Sequence, residues 1–347
     1  MEQITLIALL ELLALATATF LGLHFITSKE LSQKLLGGFL LLGFVFDLVD
    51  VVLLFLSYDF PIEFFPNTAF IYFPFLYFYS LQLTGQSNIK MWRLLYPAAL
   101  FYLIHLVALL FNADFYFFIE NQFAYLFSIY ICFLVLKAIH IHQRNIFQFF
   151  SSIENKELNW LRILTIILII FNLLWMVEDL IYLFTDWDPF LSEFSALATF
   201  FTVYWIGFSS LKQKEVFKEA IISTETPQMS KPLTKDENDL FESLNNLMIK
   251  ESLFKEVNLT LREIAVKLNT TDKKLSKVIN VKTQNNFYFF VNSYRVNCFK
   301  EKLRTSTDLP LTLFGVAQEC GFKSRSTFFT FFKRIEGLTP NEFLQIK

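Results

Sequence analysis

The chain has 347 residues, of which 54% are hydrophobic and 18% aromatic. This composition is too apolar for one soluble domain, and the length predicts two or three domains. Only 8 of the 30 Lys and Arg residues precede Lys212, whereas the 32 acidic residues divide equally around it, so the first part carries a net −8 and the second +6.

Residues 1–211 contain seven apolar runs that approach the roughly 20 residues a helix needs to cross a bilayer. Almost no Lys or Arg interrupts them, which favours membrane spans over buried helices of a large soluble core. The first run lacks a basic segment before it and a small-residue cleavage site after it, so it predicts a retained span rather than a signal peptide. The runs cover residues 4–25, 35–56, 69–83, 94–111, 123–139, 161–184 and 194–211.

The basic residues of this part predict its orientation, because short connections that carry Lys and Arg stay in the cytoplasm. All eight lie at alternate connections, and the connections between them are charged only by acids. Seven spans then place the N-terminus outside and the C-terminal part in the cytoplasm. The basic residues are Lys29, Lys34, Lys90, Arg93, Lys137, Arg144, Lys156 and Arg162.

Six ionisable side chains fall inside the predicted spans, where each needs a partner, a watery cavity or a function. Together with the many Phe and Tyr residues they predict a pocket for a cationic or hydrogen-bonding signal molecule. The alternative is that they form hydrogen bonds between helices, or that acids near span ends reach the headgroups. Their spacing indicates no catalytic constellation, metal site or cofactor. They are Glu11, Asp47, Asp50, His105, Glu178 and Asp179.

Residues 212–254 predict a cytoplasmic linker. Its first part, 212–222, continues the seventh span as a helix, and Ser223 to Pro227 interrupt that helix. A second helix begins at a capping box formed by Thr234 and Glu237. Its apolar stripe is expected to pack on the following domain, or alternatively to form a dimer contact. The stripe consists of Leu240, Phe241, Leu244, Leu247 and Met248.

Residues 255–347 carry a net charge of +8, which is expected of a phosphate-facing surface, although a solvated basic face would give the same balance. Residues 259–268 predict a helix, Asn269 and Thr270 a turn, and Thr271 the cap of a second helix through Ile279. Leu275, Val278 and Ile279 would face inward. In helix-turn-helix geometry the opposite face enters the major groove of DNA. That face carries Lys273, Lys274, Ser276 and Lys277, and with Thr271 at the start of the helix they are the DNA-contact residues predicted in the first lobe.

The same design recurs about fifty residues later. Residues 311–320 predict a helix, Gly321 and Phe322 a turn, and Ser324 or Ser326 caps a helix through about Ile335. Residues 287–303 predict one long helix that joins the two lobes. Two such lobes in a basic domain indicate DNA binding far more strongly than one would.

Residues 258–345 resemble the DNA-binding domain of AraC/XylS-type transcription regulators. The resemblance covers about a quarter of the chain. It implies two recognition helices in successive major-groove segments, control of transcription initiation and RNA polymerase as a partner. It rests on Leu275-Ser276, Ile279-Asn280, Asn286-Phe287, Asn292-Ser293-Tyr294-Arg295, Cys320-Gly321-Phe322, Ser324-Arg325-Ser326-Thr327-Phe328, Phe332-Lys333 and Gly337-Leu338-Thr339-Pro340.

The second recognition helix departs from this family, because Phe329 and Thr330 stand where a polar and then a basic residue are usual. Phe329 would meet a thymine methyl group or pack inside the protein. Base recognition would then depend mainly on the first lobe, and the second lobe would bind phosphates. The DNA-contact residues predicted in the second lobe are Lys323, Ser324, Arg325, Thr327, Lys333 and Arg334.

These observations predict an all-α protein in which a seven-helix transmembrane bundle (1–211) and a linker (212–254) precede a tandem helix-turn-helix domain (255–347). The expected function is a non-enzymatic, membrane-bound transcription regulator in the bacterial cytoplasmic membrane. Its expected partners are double-stranded DNA, the lipid bilayer, RNA polymerase, a second copy of the chain and an unidentified small-molecule or membrane signal. A membrane-tethered DNA-binding protein whose bundle only anchors or transports is the alternative. The three cysteines, Cys132, Cys298 and Cys320, are expected to be buried thiols.

Overall fold

The computed structural model describes residues 6–55, 67–86, 92–111, 114–154, 156–185, 191–212, 233–305 and 312–345. These residues contain fourteen α-helices and the short 3₁₀ helix Leu253–Lys255, but no strand, so the predicted all-helical class is confirmed for the described residues. The chain divides into two compact units. The first comprises Met1–Ile141 and Leu158–Ile221, and the second comprises His142–Glu157 and Ile222–Lys347.

The first unit contains the apolar helices. Four helical segments of the described chain are long and apolar enough to cross a membrane: Leu9–Ile26, Arg93–Leu110, Tyr116–Phe149 and Asn159–Phe184. Leu31–Phe44 and Leu197–Ser210 are apolar but shorter. The seven-span count therefore stays a prediction. The helices are α1 Leu6–Ile26, α2 Leu31–Phe55, α3 Ala69–Thr84, α4 Trp92–Leu110, α5 Asp114–Phe149, α6 Asn159–Phe184 and α7 Leu191–Lys212.

Close helix packing in this unit depends on small residues. Helix α1 packs on α2 and α7, and α2 packs on α3. A Cβ atom added to Gly37 would lie 2.8 Å from the carbonyl oxygen of Gly22, so α1 and α2 approach at a distance that only glycine allows. Large apolar side chains such as Phe25, Leu36 and Phe70 fill the core beside this contact.

The second unit has two small cores joined by one helix. The first core contains Leu244, Ile264 and Leu275, and the second contains Val316 and Phe328. Both include residues of α11, as predicted for the joining helix. The helices are α8 Lys235–Lys250, α9 Leu261–Lys267, α10 Asp272–Thr283, α11 Phe287–Thr305, α12 Leu313–Glu319, α13 Arg325–Glu336 and α14 Pro340–Gln345.

Helix α8 begins at the predicted capping box. The hydroxyl oxygen of Thr234 accepts a hydrogen bond from the Glu237 amide (3.3 Å), and the Thr234 amide donates to the Glu237 carboxylate (3.0 Å). Leu244 and Met248 are fully buried in the first core. The apolar stripe of α8 therefore packs on the first core of the domain that follows it, as the sequence predicted.

The cysteine prediction was wrong for one pair. Cys298 and Cys320 form a disulfide with a Cα–Cα distance of 5.9 Å, whereas Cys132 is a buried free thiol. Packing of α11 on the end of α12 brings the two cysteines together across 22 residues of chain. Sequence spacing does not reveal such a tertiary contact.

Candidate nucleic-acid interface

The first lobe forms a helix-turn-helix from α9 and α10. Asn269 has a φ of +51° in the turn, where the left-handed backbone reverses the chain. The hydroxyl oxygen of Thr271 accepts from the Lys274 amide (3.2 Å) and caps α10 as predicted. Leu275, Val278 and Ile279 are fully buried, so the opposite face of α10 points away from the core.

Four predicted DNA contacts lie on that face, but they are not equally open. Lys273 and Lys274 are exposed. Lys277 donates to Glu237 on α8 at 2.6 Å. The sequence predicted that Ser276 faces outward, but its hydroxyl group donates to the Gln148 side-chain oxygen at 2.9 Å and only 9% of the residue is exposed.

The second lobe repeats the motif with α12 and α13. Gly321, at φ +95°, makes the turn, and a Cβ atom there would lie 2.5 Å from the carbonyl oxygen of Phe254. Only glycine fits this position, because both the backbone angle and the space exclude a side chain. Ser324, rather than Ser326, caps α13 by accepting from the Thr327 amide at 3.3 Å.

The basic side chains of the second lobe lie around α13. Arg325 is exposed, and its guanidinium group stacks 5.1 Å from the ring of Phe329. The Arg334 guanidinium lies 4.9 Å from the ring of Phe289, and Lys323 and Lys333 are exposed. Phe329 itself packs against the second core, which favours the protein-packing alternative over contact with a base.

Residues 142–157, which comprise the last two turns of α5 and most of the chain between α5 and α6, also belong to this unit; we call them the connection segment. The Ser151 amide donates to the carbonyl oxygen of Leu259 (3.0 Å). Arg295, only 1% exposed, donates to the Ser151 carbonyl oxygen (3.0 Å) and hydroxyl oxygen (3.1 Å). Burial lowers the pKa of Arg295 to about 10, so it stays protonated at neutral pH.

The sequence predicted only a cytoplasmic connection here and gave no contact between it and the two lobes. Its composition carried a signal, since Phe147, Phe149, Phe150 and Ile153 are too apolar for a solvated connection. Phe149 packs against the first core, and Phe147 and Ile153 pack against the second.

In the first unit, a cavity of about 510 Å³ lies among α1, α2, α3, α6 and α7. Aromatic side chains, including Phe39, Tyr72 and Trp175, form much of its wall, and Glu11 and Asn172 are among its polar residues. Of the predicted pocket residues whose side chains are described, only Glu11 lines this cavity. Among the described residues, no group of three His, Cys, Asp or Glu side chains could hold a metal ion.

The other predicted pocket residues lie elsewhere. His105 Nδ1 is 2.7 Å from Glu120 Oε2, and both residues are buried between α4 and α5. Asp179 accepts from the Tyr125 hydroxyl at 3.2 Å, a contact between α6 and α5. These are interhelical contacts, as the alternative interpretation expected. Glu178 is partly buried on α6, and the side chains of Asp47 and Asp50 lie outside the described residues.

Comparison with known proteins identifies the DNA-binding part. Residues 264–346 match the model of a family described as a helix-turn-helix domain. Searches of curated proteins and of solved structures gave no match. The family match confirms the resemblance of this part to AraC/XylS-type DNA-binding domains. It supports a DNA-binding transcription regulator as the class of the protein.

Proposed function

We propose that the protein is a multi-pass regulator of the bacterial cytoplasmic membrane that controls transcription in response to a signal received by its first unit. The observation that carries this proposal is the distribution of exposed apolar side chains. Among the residues whose side chains are described, all of the large exposed apolar ones lie between Leu9 and Phe208, except Ile249 and Val266. So much apolar surface is unfavourable in water and suits contact with lipid.

The proposed topology has seven spans, an outside N-terminus and a cytoplasmic DNA-binding unit. The basic connections support it, since Lys and Arg favour the cytoplasmic side. Cysteine would be introduced singly in place of Lys29, Lys90, Lys156, Glu63 or Asp188. A membrane-impermeant thiol reagent applied to intact spheroplasts should not label the cysteines that replace the three lysines, and should label those that replace Glu63 and Asp188. The opposite pattern, or labelling at adjacent connections, would contradict the topology.

The cavity lined by Glu11 is the proposed signal site. A carboxylate beside aromatic walls suits a ligand with one cationic or hydrogen-bonding group and an apolar body. RNA polymerase and a second copy of the chain are the proposed partners during regulation.

Reporter transcription tests the sensor. Glu11→Gln should change regulation at an unchanged protein level in the membrane, because it removes the only charge among the described side chains of the cavity wall. Glu30→Gln, in the α1–α2 connection, is the matched control and should leave regulation unchanged. If Glu11→Gln, Glu178→Gln and Thr202→Phe all leave regulation unchanged, the bundle is an anchor and the sensor proposal fails.

A further inference from the structure

The connection segment is anchored at the centre of the DNA-binding unit. Arg295, which donates to Ser151, also donates to the carbonyl oxygens of Phe254 (2.7 Å) and Glu256 (2.8 Å). Asn292 donates to the Ser151 carbonyl oxygen at 3.3 Å. Arg295 and Asn292 both lie on α11, the helix that joins the two lobes. The segment is therefore fixed to the element that sets the lobes' relative position.

From this anchor, one oxygen acceptor reaches the recognition helix of the first lobe. The Gln148 side-chain oxygen accepts from the Ser276 hydroxyl (2.9 Å) and from the Asn280 amide group (3.2 Å). Ser276 and Asn280 are one helical turn apart on α10. A single amide oxygen thus occupies two side-chain donors of a helix that would bind DNA.

A second acceptor reaches the other lobe. The Glu154 carboxylate accepts from the Thr327 hydroxyl at 3.4 Å and lies 4.0 Å from Lys323 Nζ. Thr327 is in the first turn of α13, where the helix dipole favours a negative charge. Hydroxyl and lysine donors at such a position are typical phosphate ligands, so Glu154 holds a place that suits a DNA phosphate.

We propose that the connection segment inhibits DNA binding within the chain. Gln148 and Glu154 occupy donors on both recognition helices, and DNA must displace them. This inference rests on the proposed function and adds its regulation. A segment that only stabilised the unit would need Arg295 and the apolar contacts, but no carboxylate beside the donors of α13.

The continuity of α5 gives the membrane part a route to this inhibitor. Helix α5 runs without interruption from Asp114 to Phe149, and Gln148 is in its last turn. A rotation or axial shift of α5 would move Gln148 relative to Ser276. The last residues of α5 belong to the DNA-binding unit itself, so a signal can reach that unit through α5.

Binding of the purified full chain to a DNA duplex tests the inhibition. The probe is a duplex that the same full-length protein selects from a random-sequence pool. Gln148→Ala removes the acceptor of two hydrogen bonds, and Glu154→Gln removes the negative charge that a DNA phosphate would meet beside Lys323. Each variant should therefore tighten binding by about three- to tenfold, and the double variant by more than tenfold. Unchanged or weaker binding by the double variant would overturn the proposal.

Matched controls separate this effect from a change in net charge. Gln318→Ala and Glu319→Gln alter the same residue types on α12, where Glu319 pairs with Lys302, and should leave the affinity within about twofold, the effect expected of an exposed pair. Gln148→Glu keeps an acceptor in place and adds a negative charge, so binding should weaken. Tighter or equal binding by Gln148→Glu would also count against the inhibitor.

The two proposals fail in different ways. If the full chain selects no DNA sequence, the proposed function fails. If it selects a sequence but the Gln148 and Glu154 variants bind that duplex no more tightly, the inhibitor alone fails.

Discussion

Lys277 on α10 donates to Glu237 on α8, with 2.6 Å between Nζ and Oε1. The hydrogen bond from Lys277, followed by that from the Thr234 amide, lowers the pKa of Glu237 below its usual 4.5. A helix outside the two helix-turn-helix motifs therefore holds a predicted DNA-contact residue of the first lobe.

This ion pair predicts a pH dependence of stability. Because the pKa of Glu237 is lowered in the folded state, its stabilising contribution is complete above about pH 4.5, its unfolded value, and is lost as the pH falls through the folded pKa. The thermal stability of the second unit, monitored through hydrogen exchange of the α8 and α10 amides between pH 3 and 7, should depend less on pH in the Glu237→Gln variant. Glu251→Gln, which removes the exposed pair with Lys267, should behave as the wild type. If the Glu237→Gln variant lost stability at low pH as steeply as the wild type, the pH dependence could not come from the Glu237–Lys277 pair.

Arg295 is predicted to be essential for the stability of the second unit. Arg295→Ala would remove the donor to the Phe254 carbonyl oxygen and one of the donors to the Ser151 and Glu256 carbonyl oxygens, and a buried acceptor left unpaired costs about 1–3 kcal/mol. Hydrogen exchange of the α9–α11 amides should accelerate by at least tenfold. Arg304→Ala, at an exposed position on the same helix, is the control and should have little effect. Equal protection in the two variants would refute the anchoring role of Arg295.

The exposed basic residues are predicted to set the salt dependence of DNA binding. Each phosphate contact contributes about 0.9 to the slope of log affinity against log salt. Lys273→Ala and Arg325→Ala should each reduce the slope by about one, whereas Lys302→Ala, which breaks a pair with Glu319, should not. Titrations at four salt concentrations measure the slope. Parallel lines for the wild type and the Arg325 variant would exclude a phosphate contact at Arg325.

Gly321 is predicted to tolerate no side chain. Gly321→Ala combines a positive φ with a clash against the Phe254 carbonyl oxygen, and should destabilise the second lobe by about 1–3 kcal/mol or more. Gly337 has a φ of +76° but no atom within 4 Å of an added Cβ, so Gly337→Ala reports the backbone strain alone and should be milder. Hydrogen exchange of the α12 and α13 amides measures the loss of stability in each of the two variants. Equal destabilisation would show that the close approach to Phe254 contributes nothing.

Local patterns in the sequence predicted the DNA-binding helices well. Apolar spacing and caps such as Thr271 and Ser324 involve residues only a few positions apart, so their interactions are visible in sequence. The predicted α10 ended four residues early, because Asn280 to Thr283 lack the apolar spacing that marks a helix face.

Long-range contacts were not predictable in the same way. The Gln148–Ser276 hydrogen bond joins residues 128 positions apart, and the Arg295–Ser151 contact spans 144. The predicted fifth span covered residues 123–139, whereas α5 covers Asp114–Phe149. Helix propensity continues through polar residues such as Gln143, so a search for apolar runs ends too early. Likewise, no spacing indicated that His105 would pair with Glu120.

The central claim is that this chain binds specific DNA sequences from the membrane. It is tested most directly by crosslinking cells, isolating the membrane fraction, and sequencing the DNA that co-purifies with the full-length chain. The account predicts a shared sequence motif with the wild type and its loss with a Lys273→Ala/Arg325→Ala variant present at the same level. Recovery of no motif, or the same motif with the variant, would contradict it.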